Sequence, residues 1–153
     1  VIHRDLKPSN VFVDANLDVK LGDFGAAKIL DPTGDHITSA DVAIGTPHYM
    51  APEQILGEAV DGRTDLYALG CVLYRMLAGA APFRGGDTRS VLAQHLHAEL
   101  PVPTSPLRTL PVAVLDVVQA AMAKDPAKRP QSAAEMLVAL ERAAFALDDA
   151  LPD

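Results

Sequence analysis

Two short runs of apolar and β-branched residues lie near the start of the chain, Val11-Phe12-Val13 and Val19-Lys20-Leu21. The stretch from Asp14 to Asp18 that separates them contains residues that favour turns, so the pattern predicts a small β-hairpin. Residues 26–48 are rich in Gly, Asp, Thr and Pro and show no sustained period. We therefore expect a long functional loop after the hairpin.

From Ala51 onward, apolar residues recur at helical spacing. The pattern predicts five helices. The first covers 52–56 and ends near Gly57, and the second runs from Asp65 to Ala78, with Thr64 as its N-cap and Gly79 at its end. The third covers about 88–97 with Asp87 as its N-cap, the fourth runs from Pro111 to about Ala123, and the last begins at a Ser132–Glu135 capping box. The second of these should be buried on most sides, through Leu66, Leu69, Val72, Leu73, Met76 and Leu77. The predicted apolar stripe of the last helix comprises Met136, Leu137, Leu140, Ala144 and Leu147.

Composition narrows the class of protein. The chain has 153 residues, of which 49% are apolar, which is typical of one globular domain. A net charge of −7 argues against binding to nucleic acid, and no apolar run approaches the ~20 residues of a membrane span. The single cysteine, Cys71, lies in an apolar stretch and is interpreted as a small buried residue rather than a nucleophile.

Three short motifs follow one another in order: His-Arg-Asp-Leu-Lys-Pro-Ser-Asn at 3–10, Asp-Phe-Gly at 23–25, and Ala-Pro-Glu at 51–53. Each is weak alone, since an isolated Asp-Phe-Gly is usually a turn and an isolated His3 is usually structural. In this order and spacing they resemble the catalytic loop, the metal-binding loop and the end of the activation segment of protein kinases. Asp-Leu-Lys-Pro-x-Asn and the Gly45–Glu53 segment resemble the serine/threonine branch of the family, and the loop style and high alanine content suggest a bacterial source.

The resemblance implies a fold class and a domain layout. We expect the large C-terminal lobe of a kinase, mainly α with a small β-hairpin, from a domain that is α+β and two-lobed when complete. Residues 1–147 would form this lobe, with the catalytic loop at 3–10, the activation segment at 23–53 and a helical part at 54–147. Residues 148–153 would form an acidic tail.

The family's chemistry is transfer of the γ-phosphate of ATP to serine and threonine hydroxyls of proteins. By match to the motifs, Asp5 would accept or orient the proton of the substrate hydroxyl, and Lys7 would place a cation on the γ-phosphate. Asn10 and Asp23 would hold Mg²⁺, or Mn²⁺ as an alternative, on the phosphates of ATP.

Other matched residues have regulatory or structural roles in the family. The resemblance implies that Arg4 pairs with a phosphate on the activation loop, and we expect Thr38 to be the main phosphorylation site with Ser39 second. Thr46 would shape the site where the substrate docks. The residues with expected structural roles are His3, Phe24 and Gly25, the buried Asp65 that tethers the catalytic loop, and the pair formed by Glu53 and Arg129.

The family's small lobe supplies a Gly-rich loop and a lysine that bind the phosphates, and no Gly-x-Gly-x-x-Gly occurs in this chain. We therefore expect the small lobe to be the missing partner, the chain alone to bind ATP very weakly and not turn over, and an apolar face to be exposed where that lobe packs. The lobe should act in the cytoplasm, where ATP is, and a membrane anchor elsewhere in the parent protein stays open. A non-catalytic docking module is the alternative, and a small-molecule phosphotransferase is disfavoured because it has no use for a peptide-docking segment.

Overall fold

A computed structural model describes residues 1–24, 47–102 and 112–148 of the chain. Over these ranges it is mainly helical, with one two-stranded antiparallel sheet. The elements are β1 (Val11–Val13), β2 (Val19–Leu21), α1 (Pro52–Leu56), α2 (Gly62–Ala78), α3 (Thr88–His97), α4 (Val112–Ala121) and α5 (Ala133–Asp148), with short 3₁₀ turns at Pro8–Asn10, Pro47–Tyr49 and Pro126–Lys128. No helix in the described ranges has both the length and the apolar character needed to cross a membrane.

The predicted hairpin is confirmed. Strands β1 and β2 pair with Val11 opposite Leu21 and Val13 opposite Val19. The Asp14 carboxylate accepts hydrogen bonds from the backbone N–H groups of Asn16 and Asp18, at 2.9 and 3.0 Å, and so closes the turn. Asp and Asn side chains commonly stabilise turns in this way, by hydrogen bonding to backbone groups a few residues away.

Helix α2 starts earlier than predicted. Its N-cap is Asp61, whose carboxylate accepts from the N–H of Arg63 at 2.8 Å, and the predicted N-cap Thr64 is wrong. Thr64 is buried inside the first turn, where its hydroxyl donates to Glu53 at 2.7 Å instead. The C-terminal end is as predicted, since Gly79 adopts the left-handed conformation at φ 75° that favours glycine.

Helix α2 is the centre of the fold and is buried over most of its surface, as predicted. It packs against α4 and α5 and against the Pro47–Tyr49 turn. Gly70 allows the close approach of α4, because a Cβ there would lie 2.8 Å from Met122 Cγ. Cys71 is fully buried and its burial raises the pKa of the thiol, consistent with a packing role. Met76 is an exception to the prediction and is 74% exposed.

The capping of α5 is only partly as predicted. Ser132 Oγ accepts the Glu135 N–H at 3.1 Å, but the Glu135 carboxylate accepts from the N–H of Gln131 rather than that of Ser132. The apolar stripe is rotated as well. Met136 and Ala143 are buried, whereas Leu137 is 55% exposed and Ala144 is exposed, because α5 meets α2 and α4 along positions 136, 140 and 143.

An ion pair between Glu53 and Arg129 fixes α1 to the rest of the lobe. Both side chains are buried, and two guanidinium nitrogens lie 2.7 and 2.8 Å from the two carboxylate oxygens. The guanidinium also donates to the carbonyls of Ala123, Lys124 and Arg63. Burial alone would raise the pKa of Glu53, but the hydrogen bonds from Arg129 and Thr64 outweigh it and the pKa is lowered. The pair is therefore charged and fully hydrogen-bonded, as buried charges need to be.

A second buried polar cluster lies between α2 and α3. His95 of α3 is fully buried, and its Nδ1 lies 2.9 Å from the hydroxyl of Tyr67. The ring of Phe83 meets the imidazole edge-on, with centroids 4.8 Å apart. Burial, and then the charge of Lys124, lower the pKa of His95 from 6.5 to about 3, against a smaller opposing effect of the His48 backbone. His95 is therefore neutral in the folded protein.

Replacing Arg129 should destabilise the fold far more than replacing its exposed neighbour Lys128. Arg129→Ala leaves the Glu53 carboxylate buried without its cation, and we expect a loss of about 3–5 kcal/mol in the free energy of unfolding. Lys128→Ala removes a charge that water already solvates, and should stay within about 0.5 kcal/mol. Urea unfolding of the two variants measures the difference. Equal midpoints would show that the pair does not hold α1.

The buried His95 should make the protein less stable as the pH falls from 7 to 5. In the unfolded chain His95 takes up a proton near pH 6.5, whereas in the folded protein it stays neutral down to about pH 3. Between these two values the unfolded state therefore binds more protons than the folded state. Between pH 7 and pH 5 this costs about 2 kcal/mol. Urea unfolding at both pH values should detect that loss, and His95→Gln should remove it. A control variant, His97→Gln, should keep the loss, because His97 is exposed on the same helix.

Candidate active site

The loop at 3–10 is held by its backbone. The Asp65 carboxylate, in the first turn of α2, accepts the N–H groups of His3 and Arg4, both at 2.8 Å. Gln54 of α1 donates to the carbonyl of Arg4 at 2.9 Å. Arg4 has φ 66°, a conformation that non-glycine residues rarely adopt. The tether from Asp65 is the one that the family resemblance implies, and it holds this strained turn in place.

The ring of His3 connects the loop to the end of the hairpin. His3 is buried, its Nδ1 accepts the Asp5 N–H at 3.3 Å, and its Nε2 lies 2.9 Å from the carbonyl of Gly22. Because Nδ1 acts as an acceptor, the proton belongs on Nε2, which donates to Gly22. The ring centroid also lies 4.7 Å from that of Phe24.

Three polar side chains meet at the loop. Lys7 Nζ lies 2.6 Å from Asp5 Oδ2, and Asn10 Nδ2 donates to the Asp5 carbonyl at 2.9 Å and to Oδ2 at 3.4 Å. Asn10 is buried, while the side chains of Asp5 and Lys7 are about a quarter exposed, at 26% and 22%. The Asp5 carboxylate is thus fixed from two sides and is still open to solvent, as a group that meets a bound molecule has to be.

Asp23 is brought to the same place through the backbone. The N–H of Gly22 donates to the Asn10 carbonyl at 2.9 Å, and Asp23 follows directly with φ 61°. Asp23 is exposed. The hydrogen bond between Gly22 and Asn10 therefore brings Asp23 close to Asn10, although both strands of the hairpin lie between the two residues in the sequence.

The donor set of these residues suits one kind of metal ion. An amide oxygen of Asn10 and the carboxylate of Asp23 are hard oxygen ligands, which Mg²⁺ prefers. Within the described ranges no cluster of three or more His, Cys, Asp or Glu residues exists that could hold a metal by itself. Mg²⁺ bound to phosphates typically takes only one or two protein ligands, so the pair fits a metal that arrives with a nucleotide.

The apolar exposure expected from the sequence is found on the hairpin and beside it. The side chains concerned are Phe12, Val13, Leu17, Val19, Leu21 and Phe24, with exposed fractions from 46% to 80%. They lie next to the loop at 3–10. This part of the chain buries a much smaller fraction of its surface than helix α2 does. An exposed group of large apolar residues of this kind is typical of a surface that another body covers.

Several predicted site residues lie outside the described residues: Gly25, Thr38, Ser39 and Thr46. Two contacts at the site were not predicted from the sequence. Gln54 links α1 to the Arg4 carbonyl, and Arg75 of α2 donates to the hydroxyl of Tyr49 at 2.9 Å. A glutamine and an arginine on helices carry no sequence signal of such partners, which are brought near only by the packing of α1 and the Pro47–Tyr49 turn.

Comparison with known proteins agrees with this geometry. The profile described as "Protein kinase domain" matches residues 1–140. The chain belongs to the protein kinase family. The match covers the site, the ion pair, helices α1 to α4 and the first half of α5, so this kinase lobe carries the family pattern along nearly its whole length.

Bacterial serine/threonine-protein kinases are among the curated proteins that are similar to this chain. Serine/threonine-protein kinase PknB of Mycolicibacterium smegmatis is 46% identical over 143 residues, which is 93% of this chain and 23% of that protein. The DNA damage-responsive kinase RqkA of Deinococcus radiodurans is 44% identical over 89% of the chain, and kinase pkn2 of Myxococcus xanthus is 41% identical over 99%, at 20% and 19% of their own lengths. The kinase lobe thus spans about a quarter or less of these relatives.

Asp65→Asn should loosen the loop at 3–10 while leaving the helix it belongs to intact. The amide can accept only one of the two backbone bonds, so one buried N–H is left unsatisfied, and we expect a loss of about 1–3 kcal/mol. Hydrogen exchange should become faster at the amides of His3 and Arg4. The control is Asp61→Asn, which keeps an N-cap on the same helix. Unchanged protection at both amides in Asp65→Asn would mean that the tether is not what holds the loop.

Proposed function

We propose that this lobe catalyses transfer of the γ-phosphate of ATP to serine and threonine hydroxyls of protein substrates, as the large lobe of a serine/threonine kinase. The observation that carries the proposal is the contact of Asp5 with Lys7 and Asn10, in a loop that Asp65 tethers. The hydrogen bond from the N–H of Gly22 to the Asn10 carbonyl brings Asp23 to the same loop. Each of these residues matches the family motif in type and order. A non-catalytic module would have no chemical need to keep this arrangement.

In the proposed reaction the substrate hydroxyl donates its proton to the Asp5 carboxylate as its oxygen bonds to the γ-phosphorus. The bond from that phosphorus to the bridging oxygen breaks, and ADP leaves with the electron pair. Asn10 holds Asp5 in position by its two hydrogen bonds, at 2.9 and 3.4 Å. Lys7, already beside Asp5, places positive charge where the transferred phosphoryl group carries negative charge.

Asn10 and Asp23 are the residues proposed to hold Mg²⁺. When bound, the ion would neutralise charge on the phosphates of ATP and align them for the transfer. The buried amide of Asn10 cannot move far without breaking its bonds to Asp5, so the metal ligand and the proposed base keep a fixed relation. This coupling suits a reaction that depends on positioning rather than on covalent chemistry.

The small lobe of the kinase is the proposed partner of the exposed hairpin. Phe12, Val13, Val19 and Leu21 present large apolar surface, and Phe24 contacts His3 with its ring tilted while about half of the residue is exposed. The chain itself contains no Gly-x-Gly-x-x-Gly to cover the phosphates, so that function has to come from another segment. We therefore infer that nucleotide binding and turnover need the small lobe, and that the reaction takes place in the cytoplasm, where ATP is available.

Regulation is proposed to act through Arg4. Its backbone is tied on both sides, by Asp65 and by Gln54, so its guanidinium projects from a fixed point directly before Asp5. A phosphate on Thr38, or second on Ser39, would give this cation a bidentate partner and order the activation segment. Thr46, which is in the same segment, is proposed to shape the place where the substrate docks.

Asp5→Asn should slow phosphoryl transfer strongly in the native polypeptide that contains this chain. Asparagine has the same shape but cannot accept the proton, so we expect a decrease of about 10²–10⁴-fold in kcat. Asp18→Asn, in the exposed hairpin turn, should leave kcat unchanged. The rate is measured with labelled ATP, Mg²⁺ and a general serine/threonine protein substrate.

The same experiment reports on the regulatory proposal. After incubation with ATP, mass spectrometry should find phosphate on Thr38 or Ser39 in the parent enzyme and in Asp18→Asn, but not in Asp5→Asn. A kcat in Asp5→Asn equal to that of the parent would contradict the catalytic role. If the parent polypeptide transfers no phosphate at all, the docking-module alternative takes its place.

A further inference from the structure

Arg75 is held in place without losing its charge. It lies in the last turn of α2, is exposed, and its Nη1 donates to the hydroxyl of Tyr49 at 2.9 Å. The tyrosine is buried and belongs to the Pro47–Tyr49 turn, in the segment that resembles the peptide-docking part of the activation segment. Because a phenol is neutral, this bond orients the guanidinium but does not neutralise it.

Two other arginines of the lobe are neutralised by carboxylates. Arg63 pairs with Asp61, and Arg129 pairs with Glu53. Within the described ranges Arg75 has no carboxylate at salt-bridge distance, and one neutral hydroxyl is its only hydrogen-bond partner. A cation in the last turn of a helix complements the helix dipole, but the dipole does not require a bond to the docking segment. The other N–H groups of this guanidinium can form a bidentate pair with a carboxylate from outside.

The surface around this arginine carries positive charge in a protein that is acidic as a whole. The net charge of the chain is −7, yet residues 66–98 contain three arginines and only one acidic residue, the aspartate that caps α3. The three arginines are Arg75, Arg84 and Arg89, and all are exposed. Helices α2 and α3 both pack on the Pro47–Tyr49 turn, so the turn lies against two elements that carry exposed cations.

The two further arginines are placed beside α3 in different ways. The carbonyl of Arg84 accepts a hydrogen bond of 2.8 Å from Gln94 of α3, which ties the backbone of this arginine to the helix. Arg89 is the second residue of α3, where the positive end of the helix dipole disfavours a cation. Its charge therefore does not serve the stability of α3, and it is available to an acidic molecule.

Arg75 is close enough to the catalytic loop to meet a substrate whose hydroxyl lies at Asp5. Asp65, which tethers that loop, is ten residues earlier on the same helix, or about 15 Å along its axis. Tyr49 also shares an apolar cluster with Leu6, the residue that follows Asp5. An extended peptide advances about 3.3 Å per residue, so the arginine can meet a side chain about five residues from the phosphorylated one.

We propose that Arg75 is a specificity-determining residue: its guanidinium, oriented by Tyr49, binds a carboxylate of the protein substrate, while Arg84 and Arg89 attract the acidic sequence around it. The substrate class is a serine or threonine within an acidic segment. The inference rests on the proposed function, since it names the class of protein that the proposed reaction takes. Because ATP is proposed to bind at the catalytic and metal-binding residues, the arginine should affect binding of the protein substrate alone.

A set of peptides tests this preference with the active native polypeptide that contains this chain. Each peptide has one threonine and carries Glu, Gln or Lys at a single position within about five residues of it. At one or more positions kcat/KM should be about tenfold higher with Glu than with Gln, the effect of one charge-assisted pair, and lowest with Lys. The KM for ATP should not depend on the peptide. Added salt should reduce the preference, because it screens exposed charges.

Reversal of the charge separates specificity from a structural role. Arg75→Gln should abolish the preference for Glu, and Arg75→Glu should reverse it, so that the Lys peptide becomes the better substrate at the same position. Tyr49→Phe keeps the ring and removes the hydroxyl that orients the guanidinium, so the preference should decrease without reversing. The control is Arg142→Gln, which removes an exposed arginine from α5 and should behave like the parent.

The outcomes separate this inference from the proposed function. A parent polypeptide that transfers no phosphate would overturn the proposed function, and the inference with it. An active parent without a preference for Glu, or with a preference that Arg75→Glu leaves unchanged, would overturn the inference alone. An Arg75→Gln variant in which kcat/KM falls equally for all peptides would do the same, because that result indicates a structural role.

Discussion

The buried pair of Glu53 and Arg129 is the interaction on which the rest of this kinase lobe depends. Two charges removed from water carry a desolvation cost that their attraction offsets only when every remaining hydrogen-bonding group is satisfied. Here the carboxylate accepts from Arg129 and Thr64, and the guanidinium donates to three carbonyls as well. The pair therefore adds little net stability but requires α1, α2 and the turn after α4 to meet in one arrangement.

That arrangement reaches the proposed catalytic residues through the backbone. Helix α1 begins directly at the ion pair, and its Gln54 donates to the carbonyl of Arg4 while accepting the N–H of Ala51. Arg4 and Asp23 both have positive φ, each at a cost of about 1–3 kcal/mol for a non-glycine residue. Such conformations persist only where neighbours over-determine them, and Asp65 and Gln54 do so for Arg4. The proposed catalytic side chains then need no strong contacts of their own beyond those at the loop.

The parts of the fold that could be predicted from sequence are those with local causes. The hairpin turn, the end of α2 at Gly79 and the cap at Asp87 each depend on a residue's own conformational preference and its near neighbours. The start of α2 was wrong because Thr64 and Asp61 are equally good caps in isolation, and only the buried Glu53 decides that Thr64 turns inward. The predicted stripe of α5 was wrong at Leu137 and Ala144 for a similar reason, because the elements packed against α5 determine which of its faces is buried.

The residues of the candidate site also fall into two groups, those that the sequence could predict and those that it could not. The family motifs point to Asp5, Lys7, Asn10, Asp23, Asp65 and the Glu53–Arg129 pair as candidate residues, because these residues occur in a recognisable order in the chain. Gln54, Arg75 and His95 carry no such signal, since their partners are 50, 26 and 28 residues away and nothing in their local sequence points there. What they share is physical, namely a contact with a distant part of the chain that only the packing of the helices brings near.

Helix α2 makes this joining possible. Asp65 holds the catalytic loop, Thr64 holds Glu53, Tyr67 holds His95 and Arg75 holds Tyr49, so the segments are fixed to one rigid helix rather than to each other. Tyr67 and Arg75 are eight residues apart and so lie on one side of α2. An error in the position of one segment therefore does not pass to the next, as it would along a chain of loop-to-loop contacts. Because the central helix is buried on most sides, the geometry of the proposed active site follows from the packing of the large lobe.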